Sequence, residues 1–347
     1  RSAVLVVANG RLSRVELDPG VEADGVQVGA LADFDAEGEA LGAALHRPSD
    51  AFGELHDAFT AEPALIRVPP GVVVAEPVVV VHWTDVDGAA VFPRLVVQVG
   101  EDSEVTVYDH HASADVEALT VPVVELNAGP AARLRYLGAQ VLGERVWQLG
   151  HLASRAERDA TLHTAMVALG GSYARLRIDA ALVGKGATGG MVAVYFGEGN
   201  QMHDFRTVQD HLAPSTTSDL LFKGALQGTS HAVYTGLIHI AKEASGVNAF
   251  QTNRNIKLSD GAWAESVPNL EIENNDVHCS HASAIGPVDE DQRFYLESRG
   301  VPPQVAERLI VLGFFEEVLE DLPVPGAIAP LRAEISAKLL RRDEVDQ

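Results

Sequence analysis

The only cysteine of the 347-residue chain lies between two histidines, within the stretch Asn275–Ala282. If these residues are extended, side chains alternate between two faces, so Cys279 and His281 point to one side and His278 to the other. A thiolate beside an imidazole supplies half of a soft-metal site, since zinc and iron–sulfur sites usually take four ligands. The sequence has no second cysteine to complete such a site. The alternative is a buried, unreactive cysteine next to two surface histidines, because free cysteine is among the most often buried residue types.

Other polar stretches suggest chemistry less strongly. Gly184–Gly190 is rich in glycine, but it lacks the spacing of a phosphate-binding loop and lies between predicted strands, so a turn is the better interpretation. Asp109-His110-His111 and His203-Asp204 contain metal-ligand types, yet neither offers His-x-x-x-His or a carboxylate at helical spacing. Without a Gly-x-Ser-x-Gly elbow, nothing in the chain on its own identifies a catalytic residue.

The composition excludes several classes of function. With 26 Lys and Arg against 49 Asp and Glu, the net charge is −23, so a basic nucleic-acid-binding face is not expected. A single cysteine rules out an intrachain disulfide framework and fits a reducing, cytoplasmic setting. The most apolar run, Val72–Val81, is broken by Glu76 and Pro77, so no membrane span is expected. The first residues show no signal-peptide pattern.

The middle of the chain reads as a repetitive β structure. From Ala64 onward, short β-branched runs are separated by Gly, Pro and Asp, which is typical of strands. From about residue 128 strand starts recur roughly every 13–16 residues without helices between them, which favours stacked coils of two strands and about 28 residues each. A β-sandwich is the alternative, since its turns also recur regularly. The parallel β-helix is preferred because the outward-facing positions stay polar along the whole run.

The segment before the repeat is mixed in character. Val4–Leu12 reads as a strand followed by an Asn-Gly turn, and Asp50–Phe59 has the pattern of a helix. Residues 1–60 are therefore predicted to form a mixed α/β segment.

The segment after the repeat changes to a helical period. Asp289 is a cap for a helix over Glu290–Ser298, Pro302-Pro303 opens a second helix, and Ala329–Leu340 forms a third. Three helices at this place are expected to cap the solenoid, and their surplus apolar faces could dock a partner. The predicted domains are 1–60, 61–286 and 287–347.

Four ordered motifs lie in the last third of the chain, and they are Gln251–Asp260, Pro268–Ile272, Val277–His281 and Asp289–Gly300. In this order they resemble the signatures Q-T-N-R-N-L-L-L-S-D, P-x-L-E-I, V-K-C-S-H and D-x-x-Q-x-F-Y-L-x-S-R-G of the SufB/SufD family of iron–sulfur cluster assembly proteins. The surroundings of His203 and the run Asp210–Pro214 also resemble this family, and the resemblance covers roughly residues 60–325.

The resemblance implies a fold and a place in an assembly. It implies a right-handed parallel β-helix followed by a C-terminal helical domain that binds the ATPase subunit SufC. Of the two paralogues the chain looks like SufD, because the SufB type is richer in cysteine. By this resemblance His281, with Cys279 beside it, would lie at the SufB–SufD interface where a nascent cluster forms, and the missing ligands would come from another chain.

The resemblance therefore predicts a non-catalytic scaffold subunit of a SufBCD complex. It implies a transient iron–sulfur cluster or iron at a subunit interface and no tightly bound cofactor in the isolated chain. A homodimer in isolation is a further expectation, and the rival function is a carbohydrate-active or carbohydrate-binding β-helix protein. The tail residues expected to bind a partner are Phe294, Tyr295, Arg299, Phe314, Phe315 and Leu319.

Overall fold

The structure of the chain, a computed structural model, describes residues 1–35 and 37–345. It is mainly β, with 49% strand and 18% helix, which confirms the predicted fold class. The helices are α1 (Pro19–Ala23), α2 (Leu31–Phe34), α3 (Ala51–Phe59), α4 (Glu290–Glu297), α5 (Pro303–Leu319) and α6 (Pro325–Val345). The strands are β1 (Ala3–Ala8), β2 (Arg11–Leu17), β3 (Gln27–Ala30), β4 (Ala64–Val68), β5 (Val78–Thr84), β6 (Ala89–Val91), β7 (Arg94–Val99), β8 (Glu104–Ser113), β9 (Ala118–Thr120), β10 (Val123–Ala128), β11 (Arg133–Val141), β12 (Val146–Ala156), β13 (Thr161–Ala168), β14 (Tyr173–Leu182), β15 (Thr188–Gly197), β16 (Met202–His211), β17 (Thr217–Leu226), β18 (His231–Ile240), β19 (Val247–Lys257), β20 (Trp263–Ile272) and β21 (Val277–Pro287).

Two sheets face each other along a parallel β-solenoid of about eight turns. The first sheet has the order β2-β1-β5-β8-β11-β13-β15-β17-β19-β21, and the second runs β20-β18-β16-β14-β12-β10-β7-β4-β3. Each coil gives one strand to each sheet. Along the first sheet Arg133 pairs with Thr161, Thr161 with Thr188, and Thr188 with Thr217. This spacing of 27 to 29 residues agrees with the predicted coil. Parallel pairing excludes the β-sandwich, whose sheets are antiparallel.

The core lies in the lumen, the space between the two sheets. Strand β8 shows the pattern that fills it, because Val105 and Val107 are fully buried while their neighbours Glu104, Thr106 and Tyr108 are only partly buried. Alternation of this kind directs every second side chain inward, and stacking of coils covers it from both sides. Burial of the lumen therefore depends on having a further coil on each side.

The N-terminal segment adds strands to the same sheets. The Asn9-Gly10 turn joins β1 and β2, and both residues have positive φ, 49° and 81°, as a tight hairpin requires. Strand β1 then pairs in parallel with β5 and extends the first sheet. The predicted helix is α3, whose N-terminal amides of Phe52 and Gly53 donate to the side chain of Asp50.

The C-terminal helices lie against the outer face of the first sheet, so the expected end cap is wrong. Val311 and Phe315 of α5 are fully buried in one apolar cluster with Ala165, Val194 and other outward-facing residues of β11, β13, β15 and β17. The expectation that outward-facing positions stay polar along the whole run is therefore wrong for these strands, and the helices cover their apolar outer face instead of the solenoid end.

The bounds of two helices match the sequence reading and one does not. Asp289 accepts a hydrogen bond from the Gln292 amide at the start of α4, and α5 begins at Pro303, as predicted. The third helix starts at Pro325 rather than Ala329, because proline is accommodated at a first helical position. Among the helices that the structure describes, none has the length and apolar character to cross a membrane.

Candidate metal-ligand and partner-binding site

The solenoid ends in two strands that are paired on one side only. Within the described chain β21 pairs with β19 alone, and β20 pairs with β18 alone. We call this the open end, defined by β20 and β21. Each of its strands presents a row of unpaired backbone groups, which is a template for pairing with another chain.

The register places the motif residues on the lumen side of the open end. Cys279 pairs with Ala249, and His281 pairs with Gln251, and both partners on β19 are buried inward-facing residues. His281 itself is exposed because no further described coil covers it. His278 takes the opposite face and is also exposed. The prediction that Cys279 and His281 share one side is confirmed.

Cys279 and His281 differ in their surroundings. The Cys279 side chain is half-buried against the small apolar cluster that includes Ile238 and Ala249, and burial raises the pKa of its thiol. A raised pKa keeps the sulfur protonated near neutral pH unless a cation replaces the proton. His281 makes no hydrogen bond or ion pair with any residue that the structure describes, so its imidazole is free to ligate.

A buried polar network supports the coil directly beneath these two side chains. Tyr234 donates its hydroxyl hydrogen to Gln251 Oε1 at 2.9 Å, and Tyr195 donates to Asn255 Oδ1 at 2.7 Å. Asn253 Nδ2 donates in turn to the Tyr195 hydroxyl at 2.9 Å. Burial raises the pKa of Tyr195 to about 12, so this phenol remains a donor. The network holds β19 in place, and β19 pairs with β21, the strand that carries Cys279 and His281.

Sequence reading missed this structural role. Gln251, Asn253 and Asn255 belong to the motif that identified the family resemblance, and their period of two is the signal that they share the inward face. Gly236 leaves room for them, because a Cβ there would lie 2.3 Å from Gln251 Oε1. The motif therefore forms the buried polar layer directly beneath the last coil.

Apolar side chains surround the motif at the open end. Leu270 and Ile272 on β20 continue the inward-facing column of β18, yet they are 37% and 44% exposed. Other exposed large apolar side chains on the last coil are Trp263, Val267 and Ile285. Exposed apolar side chains beside unpaired strand edges favour a protein–protein contact.

Comparison with known proteins identifies the family. The family described as SUF system FeS cluster assembly, SufBD core domain, matches residues 82–314. The chain belongs to the SufBD family. The matched residues run from the coil of β5 to α5, so they include the open end and the first part of the helical tail.

Individual SufBD relatives agree with this assignment. An iron-sulfur cluster assembly SufBD family protein of Mycobacterium tuberculosis is 35% identical over 283 residues, which cover 79% of this chain and 70% of the relative. The iron-sulfur cluster assembly protein SufD of Escherichia coli is 28% identical over 296 residues, covering 84% of this chain and 70% of the relative. The protein of the same name from Bacillus subtilis is 28% identical over 288 residues, covering 82% and 66%.

The predicted docking residues of the tail fall into two groups. Phe294 and Tyr295 on α4 are 72% and 56% exposed, and the Arg299 guanidinium lies 4.3 Å from the centre of the Tyr295 ring. Phe315 and Leu319 are fully buried against the first sheet. The expectation that these two contact a partner is corrected, because their apolar surface is already covered.

Phe314 is intermediate between these groups. Its ring is half-buried, with Lys223 Nζ 4.8 Å from its centre, and Lys223 also donates to the Phe314 carbonyl at 2.8 Å. One side of a groove between α5 and the end of β21 is formed by Phe314, with Ile285 and Leu309 on its walls. The tail thus offers a partner α4 and this groove.

The remaining motif residues, His203 and Asp204, are buried in the solenoid and are not free surface ligands. His203 is fully buried, and burial lowers its pKa to about 3, so it is not available as a surface ligand. Asp204 accepts hydrogen bonds from Arg206 and Tyr173. Likewise, Asp179 on the same sheet accepts from arginine and histidine, so these carboxylates are already paired and do not supply the free acid pair of a carbohydrate-cleaving groove.

Proposed function

We propose that this SufBD protein is a non-catalytic scaffold subunit, of the SufD kind, in a SufB–SufC–SufD-type complex for iron–sulfur cluster assembly. The observation that carries the proposal is the open end, where Cys279 and His281 lie beside unpaired strands and exposed apolar residues. The cytoplasmic location expected from the single cysteine stays a prediction.

The first partner in this proposal is a SufB-like paralogue bound at the open end. An incoming strand adds to the free edges of β20 and β21 by main-chain hydrogen bonds, and the apolar side chains on the inward column provide contact area. In the absence of the paralogue, a second copy of the chain would occupy the same edges as a homodimer.

The nascent cluster is the cargo of this junction. A half-buried thiol and an exposed imidazole on alternate positions of one strand supply two ligands, and the facing paralogue supplies the others. Because Cys279 and His281 are the two soft-metal ligands on the inward face of β21, cluster binding is proposed to be transient and to require the assembled pair. An isolated chain is expected to hold no tightly bound cluster.

The second partner is a SufC-like ATPase bound to the tail. We place the contact on Phe294 and Tyr295 of α4 and on the groove beside Phe314, since these are accessible. Lys223 Nζ links α5 to the first sheet through the Phe314 carbonyl and, at 2.5 Å, through Glu317. Movement of the tail on ATP binding would pass through this link to the sheet that carries the open end.

The test compares two histidines of one strand in the reconstituted complex. His281→Ala should retain complex formation on size exclusion but lose most of the iron and sulfide bound per complex, because one ligand is removed. His278→Ala is the matched control, since it lies three residues away on the opposite face and should assemble clusters normally. Equal cluster content in wild type and His281→Ala would contradict the site assignment.

A further inference from the structure

Two histidines and an aspartate meet inside the lumen near the other end of the solenoid. His82 on β5 and His111 on β8 are register neighbours, and Asp109 precedes His111 by two residues, so all three face inward. Asp109 is fully buried, and each histidine is only 8% exposed. The imidazole rings are nearly parallel, 2° apart, with centroids separated by 4.2 Å.

The ligand atoms of this cluster converge on one point. His82 Nε2 lies 3.0 Å from Asp109 Oδ1, and His111 Nε2 lies 3.2 Å from Asp109 Oδ2. One donor atom from each of the three residues lies within 4.8 Å of the other two. Ligands about 2.0–2.2 Å from a shared metal ion would be separated by distances of this order.

Hydrogen bonding does not account for the arrangement. Both ring nitrogens of His82 and the Oδ1 atom of Asp109 are buried without a hydrogen bond, although His82 Nε2 and Asp109 Oδ1 are close. Tyr136 donates its hydroxyl hydrogen to the same carboxylate, with the hydroxyl 2.6 Å from Oδ2. Buried polar groups are normally paired, so unpaired atoms aimed at a common point indicate an absent ligand.

The cluster places one carboxylate and two imidazoles together in the buried lumen. A buried carboxylate costs free energy unless it is paired, so a metal cation held among these three side chains would stabilise it.

We propose that His82, Asp109 and His111 bind one divalent transition-metal ion of the zinc or ferrous class inside the solenoid. Two imidazoles and one carboxylate form a donor set suited to these ions. Tyr136 orients the carboxylate from outside the ligand set. A neighbouring cavity of about 40 Å³, lined by His111 and Tyr136, is large enough for the water that completes the coordination.

This site is separate from the open end and does not depend on the proposed function. Five strands of the first sheet lie between β8 and β21, so the two sites are roughly 29 Å apart. An ion held by β5 and β8 joins two successive coils by side-chain ligands. It would therefore stabilise the solenoid by binding the folded state only.

The experiment uses the full chain in a Cys279→Ser, His281→Ala background, so that the inward face of β21 contributes neither a thiolate nor an imidazole. The chain is stripped of metal with a chelator and titrated with Zn²⁺ by calorimetry, with Co²⁺ absorption as the spectroscopic measurement. We expect one ion per chain, a rise in Tm on loading, and a Co²⁺ spectrum without thiolate charge transfer. Absence of tight Zn²⁺ binding in this background would overturn the proposal.

Matched variants locate the site. His82→Gln and His111→Gln should each weaken Zn²⁺ binding by about 100-fold or more, since each removes a direct ligand. His110→Gln is the control because His110 lies between Asp109 and His111 but faces the other side of β8, where its Nδ1 lies 3.1 Å from the Tyr108 hydroxyl. Unchanged affinity in the first two variants, or an equal loss in the control, would contradict the assignment. If a ligand variant does not fold, loss of the Co²⁺ spectrum in Asp109→Asn decides instead.

Discussion

Three histidines, His56, His203 and His211, are fully buried, and burial lowers their pKa values to about 4, about 3 and about 4 respectively. His211 is held in the neutral state by two hydroxyls, with Nδ1 2.7 Å from Thr216 Oγ1 and Nε2 2.8 Å from Ser218 Oγ. Because the Thr216 hydroxyl donates to a backbone carbonyl, it accepts from Nδ1, and Nε2 accepts from Ser218. A second proton on His211 has no acceptor in this arrangement.

These histidines predict that the fold is sensitive to mild acid. In the unfolded chain their pKa values return to about 6.5, so between about pH 6.5 and pH 4 the unfolded state binds more protons than the folded state. The free energy of unfolding should therefore fall as the pH falls through this window. At pH 5 we expect each of the three to account for a loss on the order of 1–2 kcal/mol relative to pH 7. Urea unfolding at pH 7 and pH 5, followed by circular dichroism, measures the loss.

One substitution separates this effect from general acid denaturation. His211→Gln should reduce the difference in unfolding free energy between pH 7 and pH 5, because glutamine does not titrate in this range. His46→Gln is the control, since His46 is exposed, and it should leave the difference unchanged. The interpretation fails if His211→Gln shows the same pH dependence as wild type.

At the residue scale the sequence predicts the side that a residue faces, but not what it meets there. Strand alternation places Cys279 and His281 together, as the structure confirms. The approach of His82 to Asp109 could not be predicted, because it depends on the register between β5 and β8, which are separated in the chain by β6 and β7. For this reason, a search for ligands at helical spacing set the Asp109-His110-His111 run aside.

The apolar side chains of α4 and α5 differ in how far they are buried. Phe315 and Leu319 of α5 are enclosed by the first sheet, Phe314 lies at the margin, and Phe294 of α4 is exposed. A helical period in the sequence predicts an apolar face but not the surface that it covers. An end cap was predicted because outward positions were taken to be polar. On β15, outward residues such as Val192 and Val194 are apolar and contact the helices.

Alanine substitutions in these two helices should differ strongly in their effect on stability. Phe315→Ala removes a fully buried ring and should lower the free energy of unfolding by about 3–5 kcal/mol, because it leaves a cavity between α5 and the sheet. Phe294→Ala removes an exposed ring and should change stability by no more than about 0.5 kcal/mol. Chemical unfolding measures both values.

Phe294→Ala also tests the proposed ATPase contact. Phe294→Ala should weaken binding of the SufC-like subunit while leaving the chain stable, and Leu340→Ala, at an exposed position on α6, provides a comparison outside the proposed contact. Titration calorimetry with the purified ATPase gives the affinities. Unchanged affinity in Phe294→Ala would contradict the placement of the contact on α4.

The molecule as a whole is a stack of coils with an uncovered last member. Internal coils are buried by their neighbours on both sides, whereas β20 and β21 have a described neighbour on one side only. The repeat, the coil length and the three helices were predictable from local patterns, since each depends on periodicity along the chain. The face that the helices cover depends on contacts between distant segments, such as Phe315 and Phe196, whose ring centroids are 6.4 Å apart. Local patterns therefore could not predict that the helices leave the solenoid end open.

A charged side chain at the open end should prevent assembly without unfolding the coil. Ile272→Lys places an ammonium group on the inward column of β20, where the side chain is already partly exposed and where a partner would bury it. We expect at least about a tenfold loss of affinity for the SufB-like partner, since burial of an unpaired charge costs more than the roughly 1.4 kcal/mol of that factor. Surface plasmon resonance measures the loss.

The control lies at the other end of the solenoid. Val73→Lys substitutes a valine that is also exposed, near β5, and it should leave partner affinity unchanged. Both variants should unfold at the wild-type urea concentration. Normal partner affinity in Ile272→Lys would exclude β20 as part of the interface.

The uncovered last coil also bears on how the protein is supplied in a cell. A subunit that exposes unpaired strands before it binds its partner is at risk of aggregation unless the partner is present in matching amounts. Under the proposed pairing, surplus copies would associate with one another or with unrelated strand edges, so balanced production of the two subunits would limit aggregation. The helices would not provide this protection, because they lie along the outer face of the first sheet and leave the end uncovered.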